Sequence, residues 1–560
     1  MIARREFIAM VCLTCLLGLS AFSSSRTAAL LSAAETDRSH ELIFNVRTFG
    51  AVGDGAHLDT PAIQAAVDAC SKAGGGVVLV PPGKYVIGTL FLRSNTHLSL
   101  TATAVLLGTS DLTQYATGIE RSGFTAHSYI DKCLIYAEKA DNFKLSGQGT
   151  IDGQGGEFPA AGPDGKAGER PMLIRLADCT NVSIEGVTLR NAGSWCSHFV
   201  RCTDLRIRGV TIRNRCNGNN DGIDISGCEN VLISDCTILA EDDGICLQNL
   251  DNSRPVKNVL ITNCIISTRW AAIRSGGAHA GGIRDVTVSN CSFFDTFGCG
   301  IKLQISGAGV MENMTFSNIV MKNVSSPISL RLGRHNYGEQ IDTSGPPGGM
   351  RNLMFNNIRA DVIDEAGLRK KIQEIYRMDP HPGEERQCIS IMGIPGFPVQ
   401  GVALSNIQVT FPGGGTREDA AKREMPELED VYPEYFLWGV LPAYGLYARH
   451  VEGLSLDAVR FDLATPDLRP AVVCDMAKGV DISGLRAQGS RDVESLIRLR
   501  STRDAFLYGC RPMGEIGTFL RVEGNSSSDI ALQANDLHRA RNVFETVDAA
   551  KDHAVITAIK

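Results

Sequence analysis

Apolar and polar positions alternate in a short phrase that returns again and again along the chain. NVSIEGVTL from Asn181, DLRIRGVTI from Asp204, NVLISDCTI from Asn230, NVLITNCII from Asn258, DVTVSNCSF from Asp285 and NMTFSNIVM from Asn313 follow one another every 23 to 28 residues. Alternation with period two, enriched in β-branched residues, marks short strands with one buried face. Gly, Asn and Asp gather between the phrases, where turns are needed. A fixed period of this size is the signature of a solenoid, and no unit holds a helical stripe of the leucine-rich or ankyrin kind. Three short strands with their turns consume one period. The pattern therefore predicts an all-β fold, a right-handed single-stranded parallel β-helix with coils stacked about 4.8 Å apart.

Weaker copies continue at Asn352, Gly401, Gly453 and Gly479, and the longer intervals between them contain inserted loops at about 364–387 and 411–439. Upstream, FNVRTFGAVGDG leads into an amphipathic stretch from Thr60 to Lys72 and then AGGGVVLVPPGKYVIG. This stretch is expected to be an N-terminal helix capping the open end of the solenoid. The glycine run is not a phosphate loop, because it precedes a strand and no Lys-Ser/Thr follows. The resulting plan is a signal at 1–35, the cap and first coils at 43–110, and the β-helix at 111–490 with its catalytic coils at about 195–305. Residues 491–560 are expected to be terminal coils or a small cap.

A formal charge of −7 argues against a nucleic-acid partner. It leaves room for a local cationic cleft that takes an acidic sugar polymer. Arg4-Arg5 followed by an apolar run from Phe7 to Leu19 reads as a bacterial export signal, with the paired arginines pointing to the twin-arginine route. That run is shorter than the roughly 20 residues a bilayer requires, so no membrane span is expected. The protein should be secreted or periplasmic, and a monomer. Of 17 cysteines, Cys12 and Cys15 fall in the signal, which leaves an odd number. Cys236, Cys264 and Cys291 occupy one phase of the repeat and are expected to be small buried hydrophobes rather than a disulfide ladder.

Aligning the coils superposes Asp221-Gly-Ile-Asp-Ile, Asp243-Gly-Ile-Cys-Leu, Ala271-Ala-Ile-Arg-Ser and Cys299-Gly-Ile-Lys-Leu. Asp221 and Asp243 then lie on neighbouring rungs with Asp242 beside them. A second column holds Asp224, Cys246, Arg274 and Lys302, and a third holds Ser226, Gln248, Gly276 and Gln304. Like charges on adjacent rungs repel, so a stacked pair calls for a shared proton, a cation or a function. Glycosidic cleavage needs one protonated and one ionised carboxyl, which such crowding supplies. Two other readings stand beside it: Asp-Gly as ordinary turn chemistry, and an oxygen-only calcium site.

NNDGIDI and EDDGICLQ resemble the NTD and DD motifs of glycoside hydrolase family 28, the polygalacturonases and rhamnogalacturonan hydrolases. GVTLRNAGSWCSHFVRC, GIKLQISGAG and FGAVGDG are similar to that family as well, so the likeness covers about residues 43–330. The resemblance implies a pectin lyase-like solenoid and inverting hydrolysis of an α-linked acidic pectic chain without cofactor or metal. By it, Asp242 is the general acid, and Asp221 with Asp243 holds the attacking water. Two departures stand out. Thr268-Arg269-Trp270 replaces the family's Gly-His-Gly, and Lys302-Leu303-Gln304 keeps one of the two cations of its Arg-Ile-Lys. Arg269 and Arg274 are expected to compensate as carboxylate ligands, with Lys302, Gln304 and His198 also binding substrate. Trp195 is read either as a sugar-stacking ring or as packing, and Arg331, Arg334 and His335 as a later basic cluster. Pectate-lyase-like β-elimination, with Arg274 or Lys302 as base, and a non-catalytic carbohydrate-binding β-helix are the alternatives.

Overall fold

The computed structural model describes residues 42–120, 131–159, 168–249, 254–279, 281–335, 345–432, 434–548, 550–551 and 554–557. The expected export signal lies outside them. Phe44–Lys560 forms one body, a right-handed parallel β-helix built from three sheets. The repeated phrase makes the second sheet, through Thr180–Glu185, Thr203–Arg208, Glu229–Ser234 and Val256–Thr262. The third sheet follows with Thr188–Arg190, Thr211–Asn214, Thr237–Ala240 and Ile265–Ser267. The first sheet, which carries the candidate chemistry, stacks Cys133–Glu138, Met172–Ala177, Ser197–Val200, Ile223–Ser226, Ile245–Asn249 and Ala271–His279. Past Ile283 the turns flatten, and Ile283–Ser306 and Val310–Gly333 each pass through all three sheets without a break.

The corners explain the phrase. Its first and sixth residues both have left-handed backbone: φ is 58° at Asn230 and Asp235, 54° and 57° at Asn258 and Asn263, and 56° and 55° at Asn313 and Asn318. Asn and Asp tolerate that region better than other side-chain-bearing residues. Their amides also bond from coil to coil, Asn258 Nδ2 to Asn230 Oδ1 at 3.0 Å and Asn318 Nδ2 to Asn290 Oδ1 at 3.1 Å. In the later coils Gly401, Gly453 and Gly479 take the first corner, with φ of 60°, 73° and 64°.

Between the corners, alternate residues point inward and stack in like columns. Val231, Val259, Val286 and Met314 form one, and Ile233, Ile261, Val288 and Phe316 another. All are buried, and each is worth about 1.5–3 kcal/mol over exposure. Cys236, Cys264 and Cys291 lie in the same core, and every described cysteine is a free thiol.

An α-helix over Thr60–Lys72 closes the first coils, burying Ile63, Ala66, Val67 and Cys70. The insertion expected as a loop near 364–387 contains another, Glu365–Tyr376, capped by Asp364 accepting from Gly367 N at 2.7 Å. Leu368 and Ile372, one helical turn apart, pack on Phe297, and this apolar pair keeps the segment helical. Strands continue beyond residue 490 through Ile497–Arg500, Ile516–Glu523 and Ser528–Gln533. Among the described residues no helix is long and apolar enough to cross a membrane.

Candidate active site

The site rests on two glycines and an asparagine. Neither Gly222 nor Gly244 has left-handed backbone, so the two Asp-Gly pairs are not the turns that dipeptide usually makes. The glycines are needed because successive rungs close on each other. A Cβ on Gly222 would collide with the Gly244 carbonyl oxygen, and one on Gly244 would stand 2.7 Å from Ala272 O. Gly222 N donates to Asp243 O at 2.9 Å, and Gly244 N to Ala271 O at 2.8 Å. Asp221 and Asp243 thereby occupy neighbouring rungs. Asn220, fully buried, accepts from Cys216 N and Asn217 N at 3.0 and 2.7 Å and donates to Ala192 O and Ser194 O at 3.0 and 2.8 Å. It fixes the loop that presents Asp221.

One carboxylate oxygen from each of Asp221, Asp242 and Asp243 lies within 4.8 Å of the other two. Asp221 and Asp243 are buried, whereas Asp242 is partly open to solvent. Asp243 is held by two donors, Ala271 N at 3.1 Å and Arg274 Nη1 at 2.5 Å. Asp242 accepts from Asn219 Nδ2 at 3.5 Å, and its backbone carbonyl accepts from Thr268 Oγ1. Burial, and then the charges of Asp243 and Glu241, push the Asp242 carboxyl well above its ordinary range. Burial and the charge of Asp242 do the same to Asp221. Asp224, bonded by Gln248 Nε2 at 3.3 Å, is raised by burial and by Asp243. Asp221, Asp224 and Asp242 therefore keep protons where isolated carboxyls would lose them. The same three oxygens are also the group, among the described residues, that could converge on a cation; the guanidinium of Arg274 already brings positive charge to that point.

The second column stands in register: Asp224 opposite Cys246, Cys246 opposite Arg274, Arg274 opposite Lys302. The third breaks, because pairing shifts after Leu247 and Ser275, so Gly276 is not paired with Gln248. His198 lies opposite Asp224, fully buried, with Nε2 2.9 Å from Ser226 Oγ, and Trp195 packs edge-on against it at 5.0 Å. Burial holds the His198 imidazole well below its usual pKa, and this pair is part of the wall.

Arg269, expected to compensate for a missing cation in the cleft, is turned away from it. It is fully buried, its Nη2 donating to both carboxylate oxygens of Glu384 at 2.9 and 3.0 Å, and its guanidinium lies 4.6 Å from the Trp270 ring. Gln304 is buried too, its backbone N–H donating to Ser275 Oγ at 2.7 Å. Lys302 pairs with Glu434 at 3.0 Å, and Arg274 Nη2 donates to the Tyr432 hydroxyl at 2.6 Å. The later basic cluster anchors the second insertion rather than standing free. Arg331 donates to the carbonyls of Leu428 and Val431 and stacks on Trp438 at 4.7 Å, Arg334 N donates to Glu429 O at 2.7 Å, and His335 Nδ1 meets Asp430 O at 3.0 Å. Residues 428–432 and 434–438 thus form a strap against the coils on the Lys302 side. Glu384, Tyr432 and Glu434 carry no periodic signal. In the sequence, the aromatic density of EYFLWGVLPAYGLY, from Glu434, is what marks this segment as one that packs against a neighbour.

A family model described as glycosyl hydrolases family 28 matches residues 70–370, more than half of the 560-residue chain. The chain belongs to glycosyl hydrolases family 28. It is a glycoside hydrolase. Its relatives include a probable polygalacturonase of Vitis vinifera, 28% identical over 380 residues that cover 64% of this chain and 73% of that one. Two solved structures share the fold: the exopolygalacturonase of Thermotoga maritima (21% identity, TM-score 0.55, 66% of this chain and 87% of that one) and the family 28 exopolygalacturonase of Yersinia enterocolitica (21%, 0.56, 76% and 78%). The family match spans both the acidic trio and the coils that set its spacing.

Proposed function

We propose that this family 28 hydrolase is exported and, as a monomer, cleaves α-linked, galacturonate-containing pectic chains, removing units from one end. One observation carries the reading: three carboxylates converge from adjacent rungs, and the only partly exposed member is Asp242. Asp242, kept protonated by burial and by its acidic neighbours, gives its proton to the glycosidic oxygen as the bond breaks. Asp221 and Asp243 hold the water that attacks the anomeric carbon, and the departing proton of that water passes to the pair. Arg274 fixes the Asp243 carboxylate, and substrate crosses the groove beside Lys302.

The trio is tighter than the separation of about 6.5–9.5 Å between the two carboxyls of inverting glycosidases. Inversion is therefore drawn from the family resemblance, with the third carboxylate allowing water to sit beside the pair while Asp242 faces the leaving group. Elimination is disfavoured because both cations that could act as its base already hold acceptors, Asp243 and Tyr432 on Arg274 and Glu434 on Lys302. The strap over the Lys302 side supports end-on rather than internal cleavage.

Proton NMR of the first product from a galacturonide oligosaccharide, with chelator present, tests this reading. A β-configured reducing end that later mutarotates is expected. A first-formed α-anomer, or an unsaturated sugar, would refute it.

A further inference from the structure

The strap places a protein carboxylate where the groove offers a cation. Lys302 is almost fully buried, and its ammonium lies 3.0 and 3.3 Å from the two oxygens of Glu434. Its neighbour in the column, Arg274, is engaged by Asp243 at 2.5 Å and by the Tyr432 hydroxyl at 2.6 Å. The strap is not a loose flap. The buried Tyr435 hydroxyl donates to Phe297 O at 3.0 Å, and Phe436 stacks on His381, which lies against Trp270 at 5.4 Å. Glu434 is therefore held against Lys302 from both sides, by a strap bonded at Arg331 and Arg334 and by the aromatic stack.

The charge inventory makes this pairing matter. The two cations of this column, Arg274 and Lys302, are each already matched by an acidic partner, Asp243 and Glu434. A sugar carboxylate entering here would either displace Glu434 from a buried pair or sit unpaired beside it. Both are costly, since juxtaposed like charges repel and a broken buried pair leaves a charge without its partner. An uncharged ring meets no such barrier, and its hydroxyls can bond to Glu434.

We propose that Glu434 is a specificity-determining residue that reserves the position over Arg274 and Lys302 for a sugar without a free carboxylate. This rests on the hydrolase reading above and refines it. The chain accepted is one in which the unit seated at this position is neutral by nature or has its carboxyl masked as an ester. Specificity is enforced by repulsion of the wrong ring as much as by attraction of the right one.

Binding separates this inference from the reading beneath it. Dissociation constants of a trigalacturonide and of its methyl ester are measured by calorimetry, with chelator, on Asp242→Asn protein so that neither is consumed. The ester is expected to bind about tenfold or more tightly than the free acid. Adding Glu434→Gln should release Lys302 and bring the acid level with the ester or ahead of it. Adding Lys302→Gln as well should remove that gain, and thermal unfolding checks that each variant is folded. A neutral trisaccharide ending in a deoxyhexose distinguishes a ring that is neutral by nature from a masked one, according to which matches the ester. Tighter binding of the acid before Glu434 is changed, or a ratio indifferent to Glu434, overturns the inference alone. Failure of every variant to bind any of these sugars overturns the pectic reading and this inference with it.

Discussion

Arg274 reaches back one coil to Asp243, its Nη1 standing 2.5 Å from the carboxylate while its Nη2 contacts Tyr432 in the strap. One side chain thus ties the acidic trio to the insertion that borders it. Replacing Arg274 with Gln should lower kcat by about 10²-fold or more, since it removes the donor that orients a reacting carboxylate. It should also loosen the strap, seen as faster proteolysis within 411–439. A kcat within about threefold of wild type, at the level of a peripheral contact, would contradict this role.

The raised carboxyls give a pH signature. In the folded state Asp221, Asp224 and Asp242 keep protons to higher pH than in the unfolded chain, where the ordinary value is 3.8. The native state then binds more protons, so stability is full below that value and falls as pH rises through the raised range. Asp242→Asn removes one of these charges. Its melting temperature should match wild type near pH 4 and exceed it at pH 7. Equal melting temperatures at both pH values would mean that the cluster carries no excess protonation. In wild type, activity should fall on the alkaline side as the acid loses its proton.

Arg269 and Glu384 are each fully buried and join the first insertion to the sheet. Glu384→Ala leaves a buried guanidinium without its partner, which costs about 3–5 kcal/mol. Urea unfolding should show that loss, whereas a change under about 1 kcal/mol would mean that solvent reaches the pair.

Gly222→Ala puts a methyl into the Gly244 carbonyl of the next rung. About 1–3 kcal/mol of destabilisation is expected from overpacking, with a larger fractional loss of activity because Asp221 must move. The same change at Gly156, where an added Cβ meets nothing within 4 Å, is the control and should affect neither.

End-on cleavage is tested with methyl-esterified polygalacturonan. Reducing ends should accumulate while viscosity barely changes; a rapid fall in viscosity would show that the strap does not close the groove.

The solenoid was legible because its constraints are local and repeated. A left-handed corner at Asn230 returns at Asn258, Asp285 and Asn313, and an inward apolar residue follows each at a fixed offset. Alignment by period alone brought Asp221 and Asp243 onto adjacent rungs and put Arg274 and Lys302 in one column, in the register the sheets adopt. The period could not say what covers that column. Glu434 is 132 residues from Lys302, and Glu384 is 115 from Arg269; both sit in insertions whose path is set by tertiary packing. Arg269 looked like a cleft cation because its place in the coil was known and its buried partner was not. The break after Ser275 arises from a local register shift, which the strict repeat did not foretell.

The most direct test of the account is reducing-sugar release from polygalacturonan, rhamnogalacturonan and their methyl-esterified oligomers, with chelator present, by wild type and Asp242→Asn. The account predicts release by wild type from at least one of these substrates and a loss of about 10²–10⁴-fold in the variant. Release that survives the substitution, or that requires added calcium, would contradict the assignment of Asp242 as the acid of a metal-free hydrolase.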